Sequence, residues 1–443
     1  MPDCRPRIVK KVLPSDANFL MFSLDNASAI YKSMADAGVV VRDRSNQLHC
    51  EDMLRVTVGT PEENAAFLAL LEKTAMRFFP KPLKAAIQQY AWGQSATTSL
   101  VNSLGACNCC SFDTFLLGKK NGEKHAPKPV GDQSQPFAEL WMGTHPNGPA
   151  LIADDDNAPL PLADYIKKHR ELGGTCIAEC SGTARTGGVD GGLPFLLKVL
   201  SVNTALSIQA HPDRTLGAKL HADRPGVYKD PNHKPELICA LEPFVGMCGF
   251  REASEILGFL TSVPELRALV GEEVAVAYTE KVAADPSGAL EDLFGVLMRS
   301  EPEPVTVQLD AMVARLTAAG VTAHCGMDAD RMALYLINQY PGDIGVWCTY
   351  FLNIAELKPG QALYLGANLP HAYVKGQGVE IMAASDNVVR AGLTPKLRDV
   401  DTLCAMLDYA GEPADVLDGN VSSTKQFKMP SRFPSQLATD GHF

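Results

Sequence analysis

The residues best suited to do chemistry lie in three short segments. In LSIQAH polar side chains alternate with apolar ones, so on a β-strand Ser207, Gln209 and His211 share one face. Downstream, NHKPE places Glu236 beside a proline-stiffened turn, and PHAY places His371 at the start of a predicted strand. The amide, the carboxylate and the two imidazoles together offer an O,N,O,N ligand shell for a divalent cation.

The chemistry of this shell leaves more than one interpretation open. Imidazole and carboxylate ligands suit zinc, although an amide ligand is unusual and iron, cobalt or manganese could occupy a similar shell. A Gln-x-His pair on a strand is more often a hydrogen-bonded polar pair than a metal site. A single histidine such as His371 is more often structural. Spacing by itself therefore favours the structural interpretation over the metal site.

The chain that carries these segments has the composition of a folded globular protein. It has 443 residues, 46% of them hydrophobic and 21% charged, and at roughly 150 residues per domain this length predicts about three domains. Its 40 basic and 51 acidic residues give a net charge of −11, so composition does not support binding to nucleic acid or to a membrane surface. We see neither a membrane-spanning run nor a signal peptide, so we expect a cytoplasmic protein.

Residues 1–82 predict a small α/β unit. Apolar, β-branched runs predict strands at residues 18–24, 39–41 and 53–59. Asp25 is a suitable N-cap for a helix between the first two strands. The sequence TPEE at residues 60–63 combines an N-cap, a proline and a capping-box glutamate, and predicts a helix to about residue 79.

Beyond residue 82 the pattern predicts one β domain interrupted by helices. Short strands separated by glycine and proline occupy residues 83–250, residues 251–340 have helical periodicity, and strands return in residues 341–414. A polar tail, residues 415–443, follows. Within these parts we predict a helix from residue 288 capped by Ser287, further strands at 346–357, 362–365 and 379–384, and turns at 358–360 and 376–378.

Eight ordered motifs between residues 83 and 409 resemble type I phosphomannose isomerase. In chain order they are QQYAWG, PFAELWMGTHP, LPFLLKVLSV, SIQAHP, NHKPE, YPGDIG, PHAY and SDNVVRAGLTPK. The resemblance implies a mainly β cupin (jelly-roll) fold with an inserted α-helical domain, here preceded by the small α/β unit. It also implies an isomerase with one Zn²⁺ per chain that interconverts mannose 6-phosphate and fructose 6-phosphate through an enediolate, and so feeds GDP-mannose synthesis.

The resemblance assigns roles to individual residues. The family's zinc ligands fall on Gln209, His211, Glu236 and His371, the same set that strand geometry offers. Its catalytic arginine falls on Arg390. Its phosphate-binding serine and lysine fall on Ser207 and Lys396. Other positions of the family's pocket match Trp92, Lys198, Lys234, Tyr373, Glu380 and Asp386.

Aldose–ketose isomerisation requires a proton to move between C2 and C1 while negative charge develops on an enediolate. A zinc ion with the Arg390 guanidinium nearby would stabilise that charge. Glu380, Lys234 and a metal-bound water are all candidate proton carriers, and the sequence does not choose among them. Structural alternatives also stand: Arg390 as a solvated cation, Lys198 as a snorkelling side chain and Trp92 as core.

The amino-terminal unit resembles a different family, the carboxy-terminal small domain of histidinol-phosphate aminotransferase. Arg42 and Arg55 match that family's phosphate- and carboxylate-binding arginines. The large domain with its Schiff-base lysine has no counterpart, so we expect neither pyridoxal phosphate nor transamination. We interpret the unit as a remnant, a fusion or a gene-model join.

The resemblance also predicts how the far end of the chain behaves. Isomerases of this type continue into a second cupin domain of on the order of a hundred residues, whereas this chain ends at Phe443. We therefore expect an exposed apolar face on the first cupin, in a monomer or a weakly self-associating protein. A non-catalytic metal-binding cupin and an iron-dependent cupin dioxygenase are the alternatives to the isomerase, and a phosphosugar is the expected substrate.

Overall fold

A computed structural model describes residues 9–75, 83–108, 131–154, 157–170, 177, 179–180, 182–186 and 188–419. The chain forms two compact units, the first within residues 1–82 and the second beginning at Leu83. Most of the polar tail predicted at 415–443 lies outside the described residues. In the described part of the chain, no helix is long and apolar enough to cross a membrane.

The first unit is a four-stranded antiparallel sheet with two helices. The sheet has the order β1-β2-β4-β3, and side chains of Phe22, Ile30, Met34 and Leu54 form its core. Its strands are β1 (Lys11–Val12), β2 (Phe19–Ser23), β3 (Arg42–Asp43) and β4 (Met53–Thr57), and its helices are α1 (Ala27–Asp36) and α2 (Pro61–Ala75).

The capping box predicted at the start of α2 is confirmed. The Thr60 N–H donates to Glu63 Oε2 at 2.8 Å, and the Glu63 N–H donates to Thr60 Oγ1 at 3.3 Å. Two other predictions are wrong. The N-cap of α1 is Asn26 rather than Asp25, and residues 39–41 form no strand because the Val39 N–H closes the end of α1 on the Met34 carbonyl.

The second unit is built mainly from antiparallel strands. Its strands are β5 (Leu83–Lys84), β6 (Ala86–Gln88), β7 (Glu139–Met142), β8 (Leu151–Asp154), β9 (Asn157–Pro161), β10 (Phe195–Val202), β11 (Ile208–Ala210), β12 (Glu236–Ala240), β13 (Phe244–Phe250), β14 (Leu352–Leu357), β15 (Ala362–Leu365), β16 (His371–Ala383), β17 (Val389–Gly392) and β18 (Val416–Leu417). Strands β5, β8 and β9 form a small sheet of their own, and the others form an eleven-stranded sheet.

One long strand, β16, joins the two halves of the large sheet. Its first residues pair with β11 and β13, and its last residues pair with β10 and β12. Apolar side chains from both halves, among them Ile238, Phe244 and Leu363, fill the space between them. The prediction of a mainly β domain with a helical insertion and a preceding α/β unit is confirmed.

The insertion packs its helices against the sheet through aromatic rings. Phe294 contacts Phe250 of β13 edge-on, with 5.0 Å between ring centroids, and Phe351 lies 5.6 Å away. The helices are α6 (Ala253–Ser262), α7 (Pro264–Val270), α8 (Glu272–Lys281), α9 (Pro286–Met298), α10 (Pro302–Ala318) and α11 (Ala329–Ile337); α3 (Leu100–Asn108), α4 (Leu162–Lys168), α5 (Arg214–Asp223) and α12 (Val400–Met406) lie elsewhere in the unit.

Three local predictions for this unit need correction. Asp285 rather than Ser287 caps α9, because its carboxylate accepts the Gly288 N–H at 2.9 Å. The strand expected at 346–357 is a 3₁₀ helix, Ile344–Tyr350, followed by β14. The turn expected at 376–378 lies inside β16, where Gly376 has a φ of +129° and bends the strand between its two sets of partners.

We predict that Gly376→Ala destabilises the protein by about 3 kcal/mol, because φ strain and overpacking add. A Cβ at this position would lie 2.7 Å from Phe244 Cα and from the Pro243 carbonyl oxygen. The matched control is Gly360→Ala, which shares a positive φ of +88° but has nothing within 4 Å of the added Cβ. Denaturant unfolding measures both variants, and equal losses of stability would contradict the prediction.

Candidate active site

Three side chains from separate strands converge inside the large sheet. Glu236 is the first residue of β12, His371 is the first residue of β16, and His211 directly follows β11. All three are buried, and their potential ligand atoms lie within 4.8 Å of one another. The strand predicted over residues 206–211 is shorter than expected and spans only Ile208–Ala210. Because it pairs with the start of β16, it still brings the two histidines together.

The hydrogen bonds of the two histidines fix which ring nitrogen faces the carboxylate. His211 Nδ1 lies 2.6 Å from the Asn387 carbonyl oxygen and His371 Nδ1 lies 2.8 Å from that of Leu369. Because a carbonyl only accepts, both Nδ1 atoms carry the proton and both Nε2 atoms present a lone pair. Fixing the tautomer in this way is typical of histidines that bind a metal through Nε2.

The two Nε2 atoms are left without a hydrogen-bond partner among the described residues. They lie 3.2 Å and 3.4 Å from the carboxylate oxygens of Glu236, but out of line for a hydrogen bond. Two buried lone pairs that face a buried carboxylate repel it unless a cation lies between them. The donor set of His211, Glu236 and His371 therefore fits a zinc ion.

The protonation states of these groups suit metal binding. Burial lowers the pKa of His211 to about 4, so its imidazole is neutral at physiological pH. Burial alone would raise the pKa of Glu236, but the positive charge of Lys234 outweighs it and holds this pKa well below the usual range. The Lys234 ammonium lies 3.1 Å from Glu236 Oε1. A neutral imidazole and an ionised carboxylate are the ligand forms that a metal requires.

A chain of buried polar side chains leads away from Glu236. The Tyr373 hydroxyl lies 3.3 Å from Glu236 Oε2 and 2.8 Å from Glu380 Oε1. Lys198 continues the chain, with its ammonium 3.0 Å from Glu380 Oε2 and 3.8 Å from Glu139 Oε1. The contact between Lys198 and Glu380 follows from register, because Lys198 of β10 lies directly opposite Glu380 of β16.

The buried polar side chains include one permanent cation, Lys198, and one group that can exchange a proton, Glu380. Burial raises the pKa of the Glu380 carboxyl. Burial opposes the charge on Lys198, but Glu380 and Glu139 outweigh it, so its pKa is raised and it stays an ammonium. A carboxyl with a raised pKa beside a permanent cation is suited to acid–base work.

Gln209 and Arg390 lie in one row with His371 across three adjacent strands. Gln209 of β11 pairs with His371 of β16 on one side and with Arg390 of β17 on the other. Both side chains are half-buried. Within the described ranges, the Arg390 guanidinium has no hydrogen bond and no ion pair, so its donors remain available to an anionic group.

The two residues predicted to bind phosphate lie where β11 and β17 meet. Ile208 pairs with Gly392, so Ser207 just before it and Leu393 just after Gly392 are side by side. Lys396 follows three residues later, is exposed, and lines an open hollow with Thr394. The structure thus brings the segments of Ser207 and Lys396 together, without a direct contact between the two side chains.

Two other predicted pocket residues lie outside the buried cluster. Trp92 is half-buried against the apolar core of the sheet, and its ring centroid lies 5.8 Å from that of Tyr90. The Asp386 carboxylate lies 3.2 Å from His145 Nε2, whose hydrogen bond lowers the pKa of Asp386. Neither residue contacts His211, Glu236 or His371.

Sequence reasoning missed two partners that hold site residues in place, Glu139 and Asn387. Glu139 lies in the motif PFAELWMGTHP, where it contacts Lys198 and accepts the Trp141 indole N–H. Asn387 lies in SDNVVRAGLTPK, but acts through its backbone carbonyl, which carries no residue-specific signal. The available sign was a glutamate two residues before a tryptophan in an apolar strand, since a buried carboxylate needs a partner.

Two models of one protein family match the sequence of this chain. The family model for the type I phosphomannose isomerase catalytic domain matches residues 81–253, and the model for that family's helical insertion domain matches residues 269–352. Mannose-6-phosphate isomerase of Bos taurus is 44% identical over 348 residues, which cover 77% of this chain and 75% of the relative. The chain belongs to the type I phosphomannose isomerase family. The Homo sapiens enzyme is also 44% identical, with 74% of this chain and 73% of that protein covered.

Solved structures of this family share the fold. A phosphomannose isomerase from Salmonella typhimurium is 32% identical, covers 75% of this chain and 76% of its own, and superposes with a TM-score of 0.57. A zinc-bound mannose 6-phosphate isomerase is 33% identical with the same coverage and a TM-score of 0.56. The resemblance of residues 8–79 to an aminotransferase domain, and the limits assigned to each domain, stay predictions.

We predict that the chelated protein loses stability as pH falls from about 6.5 towards 4. The unfolded chain binds a proton at position 211 near pH 6.5, whereas the folded chain does so only near pH 4. A depressed pKa therefore stabilises the fold above this window, by roughly 3 kcal/mol at most. The low pKa of Glu236 acts in the same direction at lower pH.

Urea unfolding in the presence of a chelator at pH 7, 5.5 and 4.5 measures this dependence. His211→Asn should flatten it, while His49→Asn, at an exposed position of the first unit, should leave it unchanged. Stability that is equal at pH 7 and pH 4.5 in the unsubstituted protein would show that His211 is not buried as a neutral ring.

Proposed function

We propose that this protein interconverts D-mannose 6-phosphate and D-fructose 6-phosphate, with one zinc ion held by Gln209, His211, Glu236 and His371. The observation that carries the proposal is the buried pair of Nε2 lone pairs facing Glu236, next to a connected acid–base chain. Family membership supports the same reaction, since the relatives it matches are mannose-6-phosphate isomerases.

Zinc supplies one chemical function in this proposal: as a Lewis acid it stabilises negative charge on the substrate's oxygens. The chain itself provides the rest of the charge balance. The half-buried Arg390, adjacent to Gln209 in the sheet and without an acceptor in the described chain, is placed to bind the developing enediolate. Preorganised donors of this kind commonly contribute about 3 kcal/mol to a transition state.

We assign the proton transfer between C2 and C1 to Glu380. Its raised pKa brings it closer to neutral pH, and Lys198 and Tyr373 hold its two carboxylate oxygens in place. Lys234 is the alternative, but its ammonium is engaged by Glu236. The phosphate end of the substrate falls to Ser207 and Lys396, and the sugar to a pocket that includes Trp92 and Asp386.

Cysteine chemistry supports a cytosolic location for this reaction. Cysteines 50, 180, 239, 248, 325, 348 and 404 are free thiols, and free thiols are typical of a reducing compartment. Fractionation of cells that produce the protein tests this location directly.

We predict chelator-sensitive turnover. The purified zinc-loaded protein should form fructose 6-phosphate from mannose 6-phosphate, and removal of the metal should abolish this activity while zinc restores it. A coupled assay for fructose 6-phosphate, run with metal analysis, measures both. Folded, zinc-loaded protein without turnover would refute the proposal and leave a non-catalytic metal-binding cupin; oxygen consumption dependent on iron would indicate a dioxygenase.

The arginine provides an internal control for the same assay. Arg390→Ala should lower kcat/KM by roughly 10²-fold or more with zinc content unchanged, because it removes charge stabilisation only. Arg331→Ala, in the helical insertion, removes a guanidinium that donates to Thr322 and should have no effect on turnover. Loss of zinc from Arg390→Ala would show that its role is misassigned.

We predict that Glu380→Gln lowers kcat by roughly 10²- to 10⁴-fold, the usual contribution of a general acid–base group. Lys234→Met is the comparison and should reduce kcat far less. Loss of deuterium from C2-deuterated mannose 6-phosphate reports the proton transfer itself. If Lys234→Met stops this exchange and Glu380→Gln does not, the proton carrier is Lys234.

A further inference from the structure

We propose that residues 339–345, which return the chain from the helical insertion to the sheet, position the phosphate-binding part of the active site. Asp343, Tyr340 and Gln339 are the positioning residues, and they act on the segments that carry Ser207 and Lys396. The proposal rests on the function given above. It adds a reason why the helical insertion is tied to catalysis.

The first contact is a carboxylate that gathers three backbone donors. Asp343 Oδ1 accepts the N–H of Gly345 and the N–H of Leu393, each at 2.7 Å, and its Oδ2 accepts the Thr394 N–H at 3.0 Å. Hydrogen bonds to an ionised carboxylate are roughly twice as strong as neutral ones. Asp343 thereby fixes the turn that leads from β17 to Lys396.

That turn is held in a conformation that it would not adopt alone. Leu393 has a φ of +53°, in the left-handed region, although it is not glycine, and its side chain is buried. Such a backbone conformation is unfavourable for a residue other than glycine and persists only where its surroundings hold it. The backbones are in close contact here, because a Cβ on Gly345 would lie 2.5 Å from the Leu393 nitrogen.

The second contact reaches the segment before β11. The Tyr340 hydroxyl donates to the Ala205 carbonyl at 2.5 Å, and the Ala205 N–H donates to Gln339 Oε1 at 2.8 Å. Both backbone groups of Ala205 are therefore held by the returning segment, two residues before Ser207. The contacts with Ala205 and the contacts of Asp343 therefore come from one five-residue segment, residues 339–343.

The two gripped segments are neighbours in space. β11 and β17 pair at Ile208 and Gly392, so the residue before Ile208 and the residue after Gly392 start from adjacent positions. Lys396, Thr394 and Asp343 line one open hollow together with Pro302 and Val305 of α10. One short segment, residues 339–343, therefore contacts both the segment that leads to Ser207 and the turn that leads to Lys396.

This arrangement predicts an effect on phosphate binding rather than on the chemical step. Tyr340→Phe removes one hydroxyl, and Asp343→Asn keeps the shape of the side chain but turns an acceptor for Thr394 N–H into a donor. We expect each variant to raise KM for mannose 6-phosphate by at least about fivefold, the equivalent of one lost hydrogen bond. We expect kcat to stay within about twofold and zinc content to be unchanged.

Inorganic phosphate provides a readout that does not need turnover. Phosphate should raise the thermal unfolding midpoint of the full-length zinc-loaded protein, and Lys396→Ala should abolish this rise. Tyr340→Phe and Asp343→Asn should need at least about fivefold more phosphate for half of the rise, matching the change in KM.

Matched controls come from the helical insertion. The Tyr278 hydroxyl also donates to a backbone carbonyl, that of Ala253, and Asp328 also accepts a backbone N–H, that of Arg331. Tyr278→Phe and Asp328→Asn should leave the phosphate dependence and KM unchanged. These variants measure what losing an equivalent hydrogen bond does to stability alone.

The outcomes separate this inference from the proposed function. Phosphate responses of Tyr340→Phe and Asp343→Asn equal to those of the two controls would overturn the positioning role, as would a phosphate response that is missing in the unsubstituted protein. A fall in kcat with unchanged KM would overturn it as well. If the phosphate responses follow the prediction but no turnover occurs, the isomerase assignment fails and the positioning role stands.

Discussion

The buried carboxylate of Glu236 is the constraint on which the rest of the site depends. It lies between two imidazoles whose Nε2 lone pairs face it, with Lys234 as its ion-pair partner. Burying such a group is unfavourable unless positive charge and hydrogen bonds surround it. One lysine balances the carboxylate but leaves the lone pairs unmatched, and a bound cation completes the set. Metal binding and folding of this region are therefore coupled.

The sheet supplies the precision that this arrangement needs. A single strand, β16, carries His371 at its first residue, Tyr373 two residues later and Glu380 near its other end. The bend at Gly376 lets one strand serve two sets of partners, so residues of one element face both the metal ligands and Lys198. Rigid strands hold catalytic groups more closely than loops do.

The sequence predicts the participants of this site better than the contacts that place them. Alternation around Gln209 and the strand-initial His371 pointed to the ligand set, and ordered motifs added Arg390 and Glu380. Contacts made by backbone atoms escaped prediction, because the Asn387 carbonyl that orients His211 carries no side-chain signal. The turn predicted at Gly376 is wrong for a physical reason. Glycine is favoured where φ is positive, and a bent strand can require a positive φ as much as a turn does. Likewise, the β-branched residues 39–41 favour a strand. The Val39 N–H instead donates to the Met34 carbonyl at the end of α1, so it is not available to a neighbouring strand.

The segment that follows the helical insertion connects the insertion to the proposed phosphate-binding residues. After an inserted domain the chain has only to reach the next strand of the sheet, and a flexible loop would be sufficient for that. Here the returning residues instead make hydrogen bonds to two different turns, at Ala205 and at Leu393. Among the candidate metal ligands, Glu236 and His371 are the first residues of paired strands and are positioned by strand register. Ser207 and Lys396, which we propose to bind phosphate, lie beyond the ends of β11 and β17. One hydrogen bond to the sheet persists there, from the Leu206 N–H to the Tyr373 carbonyl, and the returning segment adds the contacts that hold Ala205 and the turn at Leu393.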